Sequence, residues 1–303
     1  MDRSQEMAAF VAVVDAGSFI GAVDTLRISK AAVSRYVDAL EQRIGVRLLH
    51  RTTRRLSLTE EGRIFYQRAR DILEAIDNAE AEVSSRILVP GGLVRVNVPL
   101  SFGMSHLAPL WGDFMVAFPQ IDLDVTLNDR VVDLVDEGYD LAVRISSLPD
   151  SSMVCRKLAV TEMVACASPG YLASHDTPDH PQQLTRHRVL AYTYFAGRDE
   201  WRFYGPEGEV VVRTQARVYS NNGDTCRTIA LRDGGIILQP SFMVSEDLKR
   251  GDLVRLMPNY RSVELGIYAV YPSRKQLPLK VRCLVDFLAG AFRVSPWGRP
   301  GRR

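Results

Sequence analysis

Apolar residues recur at helical spacing through the first 44 residues of the chain. The spacing predicts three helices, over residues 4–15, 18–27 and 30–43. Ser29 precedes the third helix, where its hydroxyl is suited to accept a hydrogen bond from the free amides of the first turn. The buried stripe of that helix consists of Val33, Val37, Leu40 and Ile44. Two short helices joined by a tight turn, the second with a polar outer face, are typical of a helix-turn-helix.

A short strand pattern follows the third helix. Leu56 and Leu58 alternate with polar residues, and the polar segment 51–54 predicts the turn of a β-hairpin. Residues 1–59 are therefore predicted to form a winged helix-turn-helix DNA-binding domain. Its candidate contacts to bases and phosphates lie around the start of the third helix and on the wing: Ser29, Lys30, Ala31, Ser34, Arg35, Arg51, Thr52, Thr53 and Arg54.

Positive charge is concentrated in the same region, although the whole chain carries a formal net charge of only +2. Between Arg27 and Arg55 there are eight basic and two acidic residues, and eight minus two gives +6. A local positive patch suits contacts to phosphates and the release of counterions. A solvated arginine-rich face is the alternative explanation, but the flanking helical pattern favours nucleic-acid binding.

A longer helix is predicted beyond the wing, with Thr59 as its N-cap. Its apolar residues recur at alternating spacings of four and three: Phe65, Ala69, Ile72, Ile76, Ala79 and Val83. Such a heptad stripe is typical of a helix that pairs with a second copy of itself. The alternative is a helix that lies on its own domain, but so small a domain offers little surface to cover the stripe. Residues 60–89 are therefore predicted to be a linker and dimerisation helix.

The pattern changes after a breaker cluster that ends at Gly92. Strands are predicted at 93–98, 121–127, 140–145, 163–167, 189–192, 209–212, 235–238 and 265–271. Helices are predicted at 102–117, 131–137, 223–232, 241–249 and 279–289, and a hairpin turn at 205–208. Strands that alternate with helices predict an α/β region with a parallel sheet over residues 90–303. The pattern favours neither one large domain nor two lobes.

Several other classes of protein are not indicated. Apolar runs are shorter than a membrane span requires, and the first residues lack the layout of a signal peptide. The four scattered cysteines form no CxxC pair and are expected to be reduced thiols, with a redox-sensing pair as the less favoured alternative. The five histidines form no metal-binding set, and no nucleotide-binding glycine motif follows a strand. We therefore expect no enzyme activity, no metal and no cofactor.

The chain resembles the LysR-type transcriptional regulators. The resemblance is dense over residues 10–19, 32–41 and 44–62, and it continues more loosely at 99–102, 133–142, 167–172 and 267–273. Two residues depart from the family pattern: Ala31 stands where proline is common, and Gly21 stands where a small non-glycine residue is usual.

The resemblance implies an architecture and a mode of action. Behind the winged helix-turn-helix and the long linker helix, the family has a two-lobed α/β effector-binding domain like the periplasmic binding proteins. A cytoplasmic homodimer or dimer of dimers would bind an interrupted inverted repeat in double-stranded DNA and respond to a small molecule. RNA polymerase is a further candidate partner, and no membrane contact is expected. The alternative function is a ligand-independent architectural DNA-binding protein, against which the roughly 210 residues beyond the linker argue.

Candidate effector contacts lie at or just after the ends of predicted strands, or just before predicted helices. Ser101 ends one strand and starts a helix, and Ser241 repeats this arrangement after a later strand. A hydroxyl together with helix amides suits an anion, so the effector is expected to be an organic acid. The alternative is that both serines are ordinary N-caps. The full set of candidates is Ser101, Phe102, Asn128, Arg144, Asn222, Ser241 and Phe242.

Overall fold

The computed structural model describes residues 2–51, 56–83, 89–147, 153–195, 197, 199–272, 277–294 and 297. The chain divides into two compact units. One comprises Met1–Val89 with Val135–Gly138, and the other comprises Pro90–Leu134 with Tyr139–Arg303. Thr52, Thr53 and Arg54 lie outside the described residues.

The first unit is mainly helical. Its elements are α1 (Arg3–Asp15), α2 (Gly21–Leu26), α3 (Lys30–Ile44), β1 (Leu49–Arg51), β2 (Leu56–Leu58) and α4 (Glu60–Val83). Side-chain caps fix where three of the helices begin, since Ser18, Ser29 and Thr59 accept from backbone amides of α2, α3 and α4 at 3.0, 3.2 and 2.8 Å. The antiparallel pair β1–β2 confirms the predicted wing strands.

The core of the first unit joins α1, α3, the wing and the start of α4. Its buried side chains include Phe10, Val13, Val33, Val37, Leu40, Leu48, Leu49 and Tyr66. The ring of Phe10 packs against the rings of Phe65 and Tyr66 at centroid distances of 5.8 and 6.4 Å. This packing covers the start of α4 with α1.

The apolar stripe of α4 is buried near the start of the helix and more exposed farther along. Phe65 packs against the core of the first unit, and Ala69 is fully buried. Farther along, Ile72 and Ile76 are 45% and 36% exposed. The side chains of Ala79 and Val83 lie outside the described part of the chain.

The second unit alternates strands and helices. In chain order its elements are β3 (Gly92–Val98), α5 (Leu100–Phe102), α6 (Ala108–Ala117), β4 (Ile121–Leu127), β5 (Leu141–Ser146), β6 (Val154–Ala167), α7 (Pro169–Ser174), β7 (Val189–Tyr192), β8 (Glu200–Gly205), β9 (Gly208–Arg213), β10 (Ala216–Ser220), α8 (Gly223–Ala230), β11 (Ile236–Pro240), α9 (Ser241–Arg250), β12 (Val254–Arg255), β13 (Arg261–Ser262), β14 (Glu264–Tyr271) and α10 (Leu279–Ala291). A π-helical turn, Gly103–Leu107, joins α5 to α6, and a 3-10 helix, Pro181–Arg186, precedes β7.

The main sheet is mixed, which corrects the prediction of a parallel one. Its order is β10-β7-β11-β6-β14-β5-β3-β4, with β12 beside β6, and β13-β8-β9 form a separate small sheet. β3 runs parallel to β4 and β5, and β7 runs parallel to β10 and β11, whereas β6 and β14 run antiparallel to their neighbours. The predicted hairpin between β8 and β9 is confirmed, with φ of +97° at Gly208.

The long strand β6 joins two lobes. Lobe 1 holds β3, β4, β5, β14 and residues 154–162 of β6, and lobe 2 holds residues 163–167 of β6 with β7, β10, β11 and β12. The sequence pattern predicts only residues 163–167 as a strand. The earlier part contains a bulge, because Tyr268 pairs with Lys157 while Ile267 pairs with Ala159. The extra residue, Leu158, leaves two successive buried side chains and breaks the alternation of period two.

The prediction of a helix at residues 131–137 is wrong. Val132 and Leu134 are both buried while Asp133 between them is exposed, which is the alternation of an extended segment. A turn follows, in which Tyr139 N donates to Leu134 O at 2.9 Å and Gly138 has φ of +74°. The burial pattern and the glycine together end the segment without a helix.

The cysteines of the second unit carry free thiols: Cys155, Cys166, Cys226 and Cys283. Burial raises the pKa of the Cys166 thiol to about 12, which suppresses the reactive thiolate. None of the helices in the described ranges is both long enough and apolar enough to span a membrane.

Candidate functional site

The start of α3 presents a polar face opposite its buried stripe. Lys30, Ala31 and Arg35 are exposed, while Val33 and Val37 on the other side are fully buried. Ser29 is also exposed and caps the helix through its hydroxyl, so it holds the first turn in place. Helical period therefore brings the predicted contacts of α3 onto one surface.

Ser34 is placed less freely than its neighbours on this face. It is half-buried, and its hydroxyl lies 3.4 Å from Asp38 Oδ2 one turn farther along α3. The structure thus gives this predicted DNA contact a partner within the helix.

The wing is tied to α3 by Glu41. Its Oε1 accepts from the backbone amides of Leu48 and Leu49 at 2.7 and 3.0 Å, at the point where β1 begins. Arg51 lies in β1 opposite Leu56, and its side chain lies outside the described part of the chain. Glu41 was not among the predicted functional residues, although an acid within a basic segment is a signal of a specific partner.

One of the basic residues supports the fold. Arg43 donates to Glu6 Oε2 through Nε at 2.9 Å, and its Nη2 lies 2.8 Å from the same oxygen. The Glu6 side chain is 4% exposed and that of Arg43 is 37% exposed. The pair ties α3 to α1, since a carboxylate this buried requires a charged partner.

A cavity of about 610 Å³ opens between the two lobes of the second unit. Five of the predicted effector residues line it: Ser101, Phe102, Asn128, Arg144 and Phe242. Such a volume is in the range of small-molecule sites. Two aromatic residues of lobe 2, Tyr192 and Tyr194, also line it, whereas Trp201 lies in the core of that lobe.

Two further predicted residues, Ser241 and Asn222, do not line the cavity. The Ser241 hydroxyl is buried and lies 3.0 Å from Thr161 Oγ1. Asn222 caps α8, because its Oδ1 accepts from Thr225 N at 2.9 Å. Both side chains have structural partners, and their neighbours Pro240 and Gly223 face the cavity instead.

The start of α5 is already occupied by carboxylates of the chain. Ser101 Oγ donates to Asp224 Oδ2 at 2.6 Å, and Leu100 N donates to Asp129 Oδ1 at 2.9 Å. These are the hydroxyl and a helix amide that the sequence analysis assigned to a ligand anion. Both donors are therefore already bonded to carboxylates of the chain.

Asp129 has an unusual electrostatic environment. Burial is the largest effect and raises the pKa of its carboxyl; hydrogen bonds from Leu100 and Tyr192 oppose the shift, and the charge of Asp224 adds to it. Burial also raises the pKa of Tyr192, with the Asp129 charge as the next cause. The carboxylate is therefore hydrogen-bonded, and no cation among the described residues balances its charge.

The arginines that line the cavity have partners within the chain. Arg144 donates to the carbonyl of Val132. Arg202 pairs with Glu200 and Glu209 at 2.7 and 3.1 Å. The Asn128 side chain likewise accepts from Arg130 N at 2.8 Å, within its own loop.

Two amides in the cavity wall lack partners. Asn97 Nδ2 and Gln239 Nε2 are buried and make no hydrogen bond within the described part of the chain, and both residues line the cavity. An unsatisfied buried donor costs about 1–3 kcal/mol, so each of these groups favours an acceptor that arrives with a ligand. Among the described residues, no group of three or more His, Cys, Asp or Glu side chains is arranged to hold a metal ion.

Comparison with protein families assigns both parts of the chain. Residues 4–63 match the family model for bacterial regulatory helix-turn-helix proteins of the lysR family. Residues 89–293 match the model for the LysR substrate binding domain.

Similar proteins match along nearly the whole chain. The transcriptional regulator DmlR of Escherichia coli K12 is 35% identical over 291 residues, covering 95% of this chain and 94% of that protein. CrgA of Neisseria meningitidis MC58 is 34% identical over 287 residues, covering 94% and 96%.

Solved structures of full-length regulators are similar to this chain over nearly its whole length. The full-length Vibrio cholerae virulence activator AphB has a TM-score of 0.60 at 28% identity, and CrgA of N. meningitidis has 0.61 at 32%; each comparison covers 96% of this chain and 99% of the other. With both family models matched in order, an N-terminal helix-turn-helix and an effector-binding domain behind it, the chain belongs to the LysR-type transcriptional regulators.

Proposed function

We propose that residues 1–59 bind an interrupted inverted repeat in promoter DNA through α3 and the wing. Residues 60–89 link two copies into a homodimer, or into a dimer of dimers. Residues 90–303 bind a small organic acid, whose binding alters the DNA complex and its contact with RNA polymerase. The protein acts in the cytoplasm, where this DNA is located.

The exposed face of α3 is the observation that carries the DNA-binding part of the proposal. Lys30, Ala31 and Arg35 project from the side opposite the fully buried Val33 and Val37. An arginine here is suited to bidentate contact with guanine, and the alanine to contact with a thymine methyl group. The lysine suits a phosphate, as do the candidate wing residues Arg51, Thr52, Thr53 and Arg54.

The cavity supports the sensing part. A ligand-independent architectural protein has no need of a cavity of about 610 Å³ lined by unpaired amides. The side chains around it come from both lobes, so a ligand would contact both and favour one arrangement over another.

Selection of double-stranded DNA from a random pool by the full-length protein tests the function. We expect enrichment of an inverted repeat whose half-sites are separated by about one helical turn or a multiple of it. Arg35→Ala should cost about 1–3 kcal/mol in binding and relax the preference at one position of each half-site. An equal loss on all sequences would make Arg35 a phosphate contact, and failure to enrich any sequence would contradict specific DNA binding.

A further inference from the structure

The cavity walls combine two unmet requirements. Asn97 and Gln239 offer buried amide donors with no acceptor in the described part of the chain. Asp129 offers a partly buried carboxylate that receives hydrogen bonds from an amide and a phenol but is balanced by no described cation. The two amides therefore favour a ligand that carries a hydrogen-bond acceptor, and the carboxylate favours a ligand that carries a positive charge.

Each lobe contributes one of the two amides, from a strand that leads through a proline into a helix. Asn97 lies in β3, two residues before Pro99 and the start of α5. Gln239 lies in β11, immediately before Pro240 and the start of α9. Both side chains are almost fully buried, at 2% and 1% exposure. A single acceptor group bound to both would connect the lobes, and a carboxylate has enough lone pairs to accept from two donors.

A second carboxylate lies close to Asp129. The Asp224 carboxylate accepts from Ser101 and lies near enough to Asp129 to raise its pKa. The partner of Asp224 among the described cations is Arg227, at 3.9 Å. That guanidinium is held more closely by Asp247, at 2.5 and 2.7 Å, so it balances Asp224 only weakly. The two neighbouring carboxylates therefore favour a ligand with a positive charge.

Apolar side chains form much of the remaining wall. They include Phe102, Met163, Phe242, Met243 and Leu265. A ligand that filled the cavity would bury an apolar portion against them.

We infer that the effector is an ammonium carboxylate of the amino-acid type with an apolar side group, its carboxylate on the Asn97 and Gln239 amides and its ammonium on Asp129. The inference rests on the proposed sensing function and narrows its organic acid to one that also carries a cation. A simple carboxylic acid satisfies the amides but leaves Asp129 unbalanced. A simple amine balances the charge of Asp129 but leaves the two amides without an acceptor.

Binding of the standard amino acids to the full-length protein tests this inference. Each is added separately while the unfolding midpoint is followed, since a ligand of the folded state raises it. Every binder is then compared by calorimetry with its 2-hydroxy acid, which lacks the ammonium, and with its decarboxylated amine. We expect an amino acid with a large apolar side chain to bind, and each truncated analogue to bind about tenfold or more weakly.

Three variants locate the two ends of the ligand. Asp129→Asn keeps an oxygen for Leu100 N and removes the charge, so it should weaken the amino acid about tenfold and leave the hydroxy acid unchanged. Gln239→Leu should weaken both compounds. Asp176→Asn, at an exposed aspartate outside the cavity, is the matched control and should change neither.

Some results would overturn the inference. If a 2-hydroxy acid binds as tightly as the amino acid, or if Asp129→Asn weakens the two equally, the ammonium site is wrong while small-molecule sensing stands. If no amino acid binds, the ligand class is wrong. Binding of the selected DNA by the same preparation shows separately whether the regulator function stands.

Discussion

The hydroxyl of Ser101, at the start of α5 in lobe 1, donates a 2.6 Å hydrogen bond to Asp224, at the start of α8 in lobe 2. Ser101 also lines the cavity to which both lobes contribute, so the bond connects the lobes next to that cavity. The Ser101 hydroxyl therefore joins the two lobes. It is not simply a free donor at a helix N-terminus that is available to a bound anion.

The strength of this connection can be measured by a double-mutant cycle of Ser101→Ala and Asp224→Ala. Because the Asp224 side chain is 47% exposed, we expect a coupling free energy of about 0.5–1.5 kcal/mol, within the range of single hydrogen bonds. Trp111, Trp201 and Trp297 all lie in the second unit, so tryptophan fluorescence during urea unfolding follows that unit. Coupling near zero would show that the bond does not hold the lobes together.

Removal of the Asp129 charge should change the pH dependence of stability. The folded pKa of this carboxyl is raised, chiefly by burial, so the folded state binds the proton more readily than the unfolded chain does. The charged carboxylate therefore destabilises the fold above its folded pKa, and that cost disappears as pH falls toward the ordinary value of 3.8.

Asp129→Asn should consequently stabilise the second unit most at pH values above the folded pKa, with a gain that shrinks as the pH falls toward 3.8. Fluorescence-monitored urea unfolding of both proteins across this range provides the measurement. A gain that grew as the pH fell would reverse the assigned sign.

Individual helices of this fold could be predicted from the sequence because their caps and apolar spacing involve only residues that are close together in the chain. The start of α3 follows from the Ser29 cap and the buried spacing of Val33 and Val37. The direction of β6 could not be predicted in this way, since a strand that pairs antiparallel needs no crossover helix to reveal it. Its bulge at Leu158 also hides the strand period.

The cavity was predictable only in part, for a similar reason. Ser101 follows a strand and Arg144 lies near the end of one, and both could be found from those positions. Asn97 falls on the polar side of an alternating strand, where the sequence predicts exposure, but pairing on both edges and packing on both faces bury it. A polar residue within an apolar strand, as at Gln239, was the available signal.

Arg43 should matter more for stability than other arginines of the basic segment. Arg43→Ala leaves the buried Glu6 carboxylate without its partner, and we expect a loss of about 2 kcal/mol, below the range for fully buried pairs because Arg43 is 37% exposed. Hydrogen exchange of the amides in α1 and α3 measures this loss within the first unit. Arg47→Ala, at an exposed position nearby, is the control and should stay within about 0.5 kcal/mol of the wild type.

Lys30 should act as a phosphate contact. Lys30→Ala is expected to weaken binding to all DNA sequences by a similar factor and to lower the slope of log affinity against log salt by about one unit. Titrations of fluorescent DNA at several salt concentrations measure both quantities. Arg261→Ala removes an exposed cation from the second unit and should leave the slope unchanged; a change confined to one DNA sequence would instead make Lys30 a base contact.

The exposed part of the α4 stripe should govern self-association. Ile72 and Ile76 are 45% and 36% exposed, although they continue the stripe that begins with the packed Phe65 and the buried Ala69. A second copy of the helix would cover them, and a charge placed there would have to be desolvated. Ile76→Glu is therefore expected to raise the dimer dissociation constant about a hundredfold, as followed by sedimentation equilibrium.

Ile64→Glu supplies the control for the α4 stripe, because Ile64 is 64% exposed on the same helix but lies outside the stripe. Equal weakening by both variants would show that added charge, not the stripe, controls association, and weakening by neither would place the dimer contact elsewhere.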